Sequence, residues 1–273
     1  MKLPTSRATH ALGRSMRTLA LRSVSPLDGV VRALNGKSRY PPIHLRRHAA
    51  PLEAFERTAG EYAGYLATLA GLRPTSRVLD VGCGPGAMAI TLNERLGPDG
   101  RYIGLDVYRA AVDWASGHLA DGRFSFKHHN YWSGTYNPAG MRFLPFDIHD
   151  AWADIVLLKS VATHLLPEDL IFYLGEIRRV LAPHGTAFVT AFLFDEVDGE
   201  VAARFPHDQP PFRYSRLGSP ESGVAYGRDW VLAAFEHAGL QPELKQGFWH
   251  SGRDAPVGYQ DIVLARIRGE PQS

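Results

Sequence analysis

The sequence predicts an α/β fold in which a mostly parallel, doubly wound sheet carries helices on both faces. Three observations lead there. From residue 52 onward, short runs rich in Val, Leu and Ile alternate with stretches whose apolar residues recur at helical spacing. A glycine-rich turn, Gly82-Cys83-Gly84-Pro85-Gly86, directly follows the first such run and opens the next helical stretch. The last two apolar runs are separated only by a Gly- and Pro-containing segment, so they read as an antiparallel hairpin that closes the chain.

The elements follow in order. Leu52 to Leu72 sets Phe55, Ala59, Tyr62, Leu66 and Leu69 on one helical stripe. Arg77-Val78-Leu79-Asp80-Val81 is a buried strand, and a helix from Ala87 to Leu96 stops at Gly97-Pro98. A second strand, Tyr102 to Val107, precedes a helix over Arg109 to Leu119, and Phe124 to His128 is the third strand. Ala153 to Leu158 is the fourth; the helix after it, Pro167 to Leu181, has proline in its first turn. Thr186 to Phe192 is the fifth. Strands spaced by crossover helices pair in parallel and are covered on both faces. Residues 195–227 break the pattern into Pro, Gly and polar residues; a connection that long is typical of lids and binding segments, so it reads as a substrate-lid insertion. A helix from Arg228 to Ala238 follows, and Glu243 to Trp249 with Tyr259 to Ile267 form the hairpin. The chain thus divides into a basic N-terminal arm, 1–47, read as an untethered and disordered tail, and one domain, 48–273, carrying the insertion.

Composition narrows the function classes. Lys and Arg total 30 against 28 Asp and Glu, a net charge of +2. Residues 1–47 hold ten of the cations and a single acid, Asp28, a balance of +9, which leaves −7 for the rest. The basic excess belongs to the arm, and nothing supports nucleic-acid binding by the body. Ser6 to Ser25 is Arg- and Ser-rich and acid-free, with Leu12, Met16 and Leu19 at helical spacing, a pattern shared by transit peptides, membrane-surface helices and plain basic tails. No apolar run is long enough to span a bilayer. Cys83 is the sole cysteine, so no intramolecular disulfide forms, and a cytoplasmic setting is expected.

The chemistry gathers at the ends of the first two strands. Glycines after a strand let backbone approach a ligand closely, and the helix behind them offers free N–H groups. Asp106 ends the second strand, twenty residues beyond Gly86, where a carboxylate can accept both hydroxyl protons of a ribose. Together these features indicate an adenosine-type ligand. Asp80, pressed against the loop, suits a ligand carrying positive charge better than a dinucleotide diphosphate.

On Val78-Leu79-Asp80-Val81-Gly82-Cys83-Gly84-Pro85-Gly86, with Asp106, the sequence closely resembles the class I S-adenosylmethionine-dependent methyltransferases. The resemblance runs from Leu52 to Ile267. It implies a seven-stranded, Rossmann-like sheet ending in a reversed hairpin, S-adenosyl-L-methionine as cofactor, and S-adenosyl-L-homocysteine as product. By position it implies that Gly82, Cys83, Gly84 and Gly86 form the loop along the methionine moiety and ribose. Val107 and Tyr108 would lie beside the adenine, and Lys159 and Ser160 would face the transfer centre. Family members often place an Asp after the third strand to read the adenine; here His128-His129-Asn130-Tyr131 stands there, and Asn130 keeps a carbonyl acceptor. Tyr136-Asn137-Pro138 and Pro41 to Arg46 resemble a bacterial subgroup whose members look like small-molecule or sugar methyltransferases.

The expected reaction is methyl transfer to a small acceptor, a sugar or aromatic hydroxyl. His164, after the fourth strand, is the candidate general base, with His128 and His129 as rivals. Tyr131, Trp132, Tyr136, Phe212, Tyr214, Trp249 and His250 are candidate pocket residues, and Arg46, Arg47 and Arg57 candidate partners of the methionine carboxylate. The twelve histidines show no compact metal-ligand spacing. Alternatives are nitrogen methylation, NAD-dependent oxidoreduction, and a non-catalytic binding module on the same fold.

Overall fold

The computed structural model describes residues 20–46, 52–253 and 256–269. A helix α1 (Ser25–Leu34) is followed by α2 (Leu52–Leu69) and β1 (Arg77–Val81). Then come α3 (Ala87–Leu92), β2 (Arg101–Asp106), α4 (Arg109–His118), β3 (Phe124–His128) and β4 (Ala153–Leu158). Helix α5 (Pro167–Val180) runs directly into β5 (Leu181–Ala191). The insertion contributes β6 (Leu193–Phe194), α6 (Gly199–Arg204), β7 (His207–Gln209), β8 (Phe212–Tyr214) and β9 (Val224–Gly227). The chain then passes through α7 (Arg228–His237), β10 (Leu240–Lys245) and β11 (Asp261–Ile267).

Seven strands pair in the order β10-β11-β5-β4-β1-β2-β3. Strands β1 to β5 are mutually parallel; β11 runs antiparallel to β5, and β10 antiparallel to β11. This is the expected doubly wound sheet with its reversed C-terminal pair. Side-chain alternation explains the covering on both faces. Leu79 and Val81 of β1, Val156 and Leu158 of β4 and Val189 of β5 pack with Leu174 and Ile177 of α5 and Phe235 of α7. Val78, Ile155, Leu157 and Phe188 point the other way, onto Tyr62 and Leu66 of α2, Leu92 of α3 and Ala115 of α4.

Three differences from the sequence expectations have local causes. Helix α3 stops at Leu92 rather than Leu96, because Arg123 draws the Asn93 side-chain oxygen and the Leu96 carbonyl into hydrogen bonds of 2.7 Å each. The insertion is not irregular: β6-β9-β8-β7 form a second small sheet, and Phe212, Val224 and Tyr226 enter the main core. The hairpin strands are shorter than expected because the buried Asp261 gathers the chain between them. Its carboxylate accepts the backbone N–H of Gly247 at 2.9 Å and of Leu193 at 2.8 Å, the Trp249 indole N–H at 2.6 Å, and Arg253. Asp261→Ala strands these buried donors and an arginine, so it is expected to lower stability by about 3–5 kcal/mol, read from a urea unfolding midpoint.

The arm also departs from expectation over its described part. Arg46 is buried and paired with Asp28, which also takes Arg32 Nε at 3.0 Å and the Ile43 N–H at 3.1 Å. Tyr40 donates to Glu56 of α2 at 2.6 Å, Lys37 pairs with the same carboxylate, and the Tyr40 ring meets Phe55 edge-on. Residues 20–46 are therefore tied to α2 instead of hanging free; Arg47 and residues 1–19 lie outside the described residues. Among the described residues no helix is long and apolar enough to cross a membrane.

Candidate active site

Strand order reverses at β1, whose neighbours are β2 on one side and β4 on the other. Crevices form where the connections leave such strands in opposite directions. Here a cavity of about 780 Å³ opens, within the roughly 300–1,000 Å³ usual for small-molecule sites.

The glycine loop forms one wall through Gly82, Gly84 and Pro85. Gly82 and Cys83 donate their N–H groups to the Leu105 carbonyl at 2.7 and 3.0 Å, which fastens the loop to β2. Gly82 has φ +86°, and a Cβ there would come within 2.2 Å of Val161 Cγ2. Gly84, at φ +53°, is different: nothing lies within 4 Å of the position its Cβ would take, so the loop presents bare backbone to open space.

Asp106 stands at the end of β2 on the same wall. Its Oδ2 accepts the Gly84 N–H and its Oδ1 the Tyr108 N–H, each at 2.7 Å, so the carboxylate is aimed by backbone on both sides. Burial pushes its pKa up against those hydrogen bonds. Each oxygen keeps a lone pair, enough for a vicinal diol. Val107 and Tyr108 continue the wall, and the Tyr136 ring lies 5.8 Å from that of Tyr108.

Asp80 does not line the cavity. Alternation along β1 turns it onto the α2 face, where it is buried, accepts the Tyr102 hydroxyl at 2.6 Å and is pushed by burial to a pKa of about 7. Lys159 follows on the same face of β4; its Nζ sits 4.9 Å above the Tyr62 ring, it reaches the cavity wall, and burial lowers its pKa. Asp80 therefore acts on the site electrostatically, alongside Lys159, rather than by touching a ligand. Cys83, expected in the cofactor loop, is buried with its thiol against Gly104 and does not line the cavity. Gly86 caps α3 behind the wall.

Two further polar residues stand on the cavity wall. Ser160, after β4, holds a left-handed φ of +57°, unusual for a serine and worth about 1–3 kcal/mol of strain. Its N–H donates to Thr190 Oγ1 at 2.7 Å, and its hydroxyl donates to Gln260 at 3.1 Å. His164 is exposed on the wall, and its Nδ1 lies 2.9 Å from the Glu221 carbonyl oxygen. A carbonyl only accepts, so Nδ1 carries the proton and Nε2 is left as a proton acceptor. Although the side chain opens onto the cavity, the bulk of protein surrounding the site desolvates the ring and holds its pKa below the ordinary histidine value.

The loop after β3 corrects the adenine-side expectation. Asn130 is exposed and turned outward, its side-chain oxygen accepting from Asn137 at 3.0 Å. The neighbours on either side point in. Tyr131 is buried on the wall and donates to Asp169 at 2.7 Å, and Asp169 is gripped by Arg142 at 3.0 and 2.6 Å. His129, buried beside it, has its pKa pulled down to about 4 by desolvation, and its Nε2 has no partner among the described residues. His128 donates from Nε2 to the Val107 carbonyl at 3.2 Å, a structural contact.

Of the candidate aromatics, Trp132 and Tyr136 line the cavity. Trp249 is buried in a separate cluster and donates to Asp261, Phe212 belongs to the core, and His250 pairs with Asp198. Arg57 is exposed and off the wall, whereas Leu45 and Arg46 line it. Sequence pattern had no means of bringing the arm to the site, nor of finding the Glu221 carbonyl that orients His164.

Comparison with known proteins gives a match over part of the chain and a shared fold over most of it. Residues 78–185 match the model of a methyltransferase domain. An uncharacterised methyltransferase of Schizosaccharomyces pombe is 31% identical over 114 residues, 42% of this chain and 39% of the relative. The chain thus spans about two fifths of the length of the curated relative it matches. Among solved structures, a Burkholderia thailandensis 1,6-didemethyltoxoflavin-N1-methyltransferase with bound S-adenosylhomocysteine is 18% identical and aligns over 98% of this chain and 92% of its own, with a TM-score of 0.51. A SAM-dependent methyltransferase of Leishmania major is 16% identical over 83% and 78%, with a TM-score of 0.55. Residues 78–185 thus match a methyltransferase domain, and the chain shares its fold with SAM-dependent methyltransferases.

Proposed function

We propose that the protein methylates a hydroxyl oxygen of a small-molecule acceptor, with His164 as general base. The observation that carries this reading is the His164–Glu221 hydrogen bond, which fixes the proton on Nδ1 and leaves Nε2 to accept another at the cavity wall. The domain extends over 48–273, and the 195–227 insertion builds the acceptor side through Ser222, Gly223 and the Glu221 carbonyl.

The residues present fit the cofactor. Open space off Gly84 admits a ligand against bare backbone, and Asp106 offers two aimed oxygens to a ribose diol. In this reading Gly82 and Gly84 line the methionine part, Val107 and Tyr108 the adenine, and Lys159 and Ser160 the transfer centre. S-adenosylmethionine supplies, when bound, a methyl carbon already activated by a sulfonium. The chain therefore has to position the acceptor in line with it and exclude water. Tyr131, Trp132 and Tyr136 offer rings for a sugar or aromatic acceptor. As the acceptor oxygen takes the methyl group and the sulfur–methyl bond breaks, leaving S-adenosylhomocysteine, His164 Nε2 would take the hydroxyl proton and release it afterwards to solvent. The single cysteine supports a cytoplasmic setting.

Parallel calorimetric titrations with S-adenosylmethionine, S-adenosylhomocysteine and NAD test the foundation. Binding of the first two at micromolar affinity without NAD binding is expected. Binding of NAD alone would mean an oxidoreductase, and binding of none a partner module.

A further inference from the structure

The feature left unused by the reaction is helix α1. None of its residues is buried. Leu27, Val30, Val31 and Leu34, with Val24 just before them, recur at helical spacing and form one apolar stripe. Their exposures run from 41% at Val24 to 82% at Leu34. The helix is held by its other side: Asp28 takes Arg32, Arg46 and the Ile43 N–H, so the fold fixes α1 beside the cavity wall with its stripe facing away from the body.

Single exposed leucines need no explanation, but a continuous stripe on a tethered helix does. Charge identifies what covers it. In sequence, Lys2, Arg7, Arg14, Arg17 and Arg22 precede the helix with no acid among them, whereas Arg32 and Arg46 are spent on Asp28 and Lys37 on Glu56. The described face of the helix is therefore apolar, with Arg22 and Arg39 exposed on either side of it in sequence. A bilayer of anionic lipid answers both components, taking the aliphatic side chains at the acyl boundary and the cations at the headgroups. We infer that α1 docks the protein in-plane on an anionic membrane surface. Because Arg46 both lines the cavity and closes on Asp28 of α1, the docked helix sets the cavity at the lipid interface. This inference is independent of the acceptor assigned above.

The test is flotation of the full-length protein with vesicles of phosphatidylcholine containing about a third phosphatidylserine, against phosphatidylcholine alone. Binding to the anionic vesicles only, falling as salt rises from 0.1 to 0.5 M, is expected. The double variant Leu27→Asp, Leu34→Asp should lose about tenfold or more in vesicle affinity. Both side chains are solvent-exposed, so its thermal unfolding and S-adenosylhomocysteine affinity should match the parent and exclude misfolding as the cause. Absence of binding, or binding that survives the double variant, overturns the proposal. A dimer by light scattering that the same variant dissociates also overturns it, assigning the stripe to a second copy.

Discussion

Asp106→Ala is expected to weaken binding of S-adenosylhomocysteine by about 10²- to 10⁴-fold. Two hydroxyl-to-carboxylate hydrogen bonds disappear, each worth roughly 1.5–3 kcal/mol, and each 1.4 kcal/mol is tenfold. The same substitution frees Gly84 N–H and Tyr108 N–H, the two groups that aim the carboxylate and that the carboxylate in turn holds in place. Loss of the side chain therefore removes a ligand contact and loosens the loop that presents bare backbone. Asp106→Asn keeps one acceptor but turns an amide donor toward either Gly84 N–H or Tyr108 N–H, so an intermediate loss is expected. Calorimetric titration reads both, with thermal unfolding as the check on folding. An affinity within about threefold of the parent for the alanine variant would remove Asp106 from the cofactor site.

That site was legible where its signal is local. A strand, a glycine turn, a helix and an acid ending the next strand are all contiguous patterns, and β1 to β2 is built that way. The reversed C-terminal pair was legible for the same reason. What the pattern did not carry depends on contacts far apart in sequence. Asp80 reads as a ligand neighbour, yet period-two alternation sends it to the α2 face, where Tyr102 and Lys159 are its company. Asn130 keeps the right chemistry for adenine, but the hydrogen bond from Asn137 turns it outward, and His129 and Tyr131 occupy the inner face. The insertion looked irregular because its strands are two to four residues long, too short for any periodicity. The arm looked like a tail because its anchors are one acid and one tyrosine, Asp28 and Tyr40, among many cations.

His164 was visible in sequence only as a histidine in a suggestive place; its tautomer is a property of the fold. With Nδ1–H spent on Glu221, the ring works as a base only while Nε2 is unprotonated. His164→Ala is accordingly expected to lower kcat by about 10²- to 10⁴-fold on a hydroxyl acceptor found by screening with labelled methyl donor, while leaving S-adenosylhomocysteine affinity unchanged. The pH profile supplies a second readout. Desolvation lowers the His164 pKa, so the neutral ring persists below the ordinary histidine value of about 6.5, and kcat/KM should stay level there before falling on further acidification. The sign is fixed: protonation removes the acceptor lone pair, so the loss lies on the acid side. In His164→Ala that acid limb should vanish along with the rate. His129, already held neutral to about pH 4, has no reason to move with it, and His129→Ala should keep the limb. A loss below about tenfold in His164→Ala, with the limb intact, would transfer the reaction to a nitrogen acceptor that gives its proton to water.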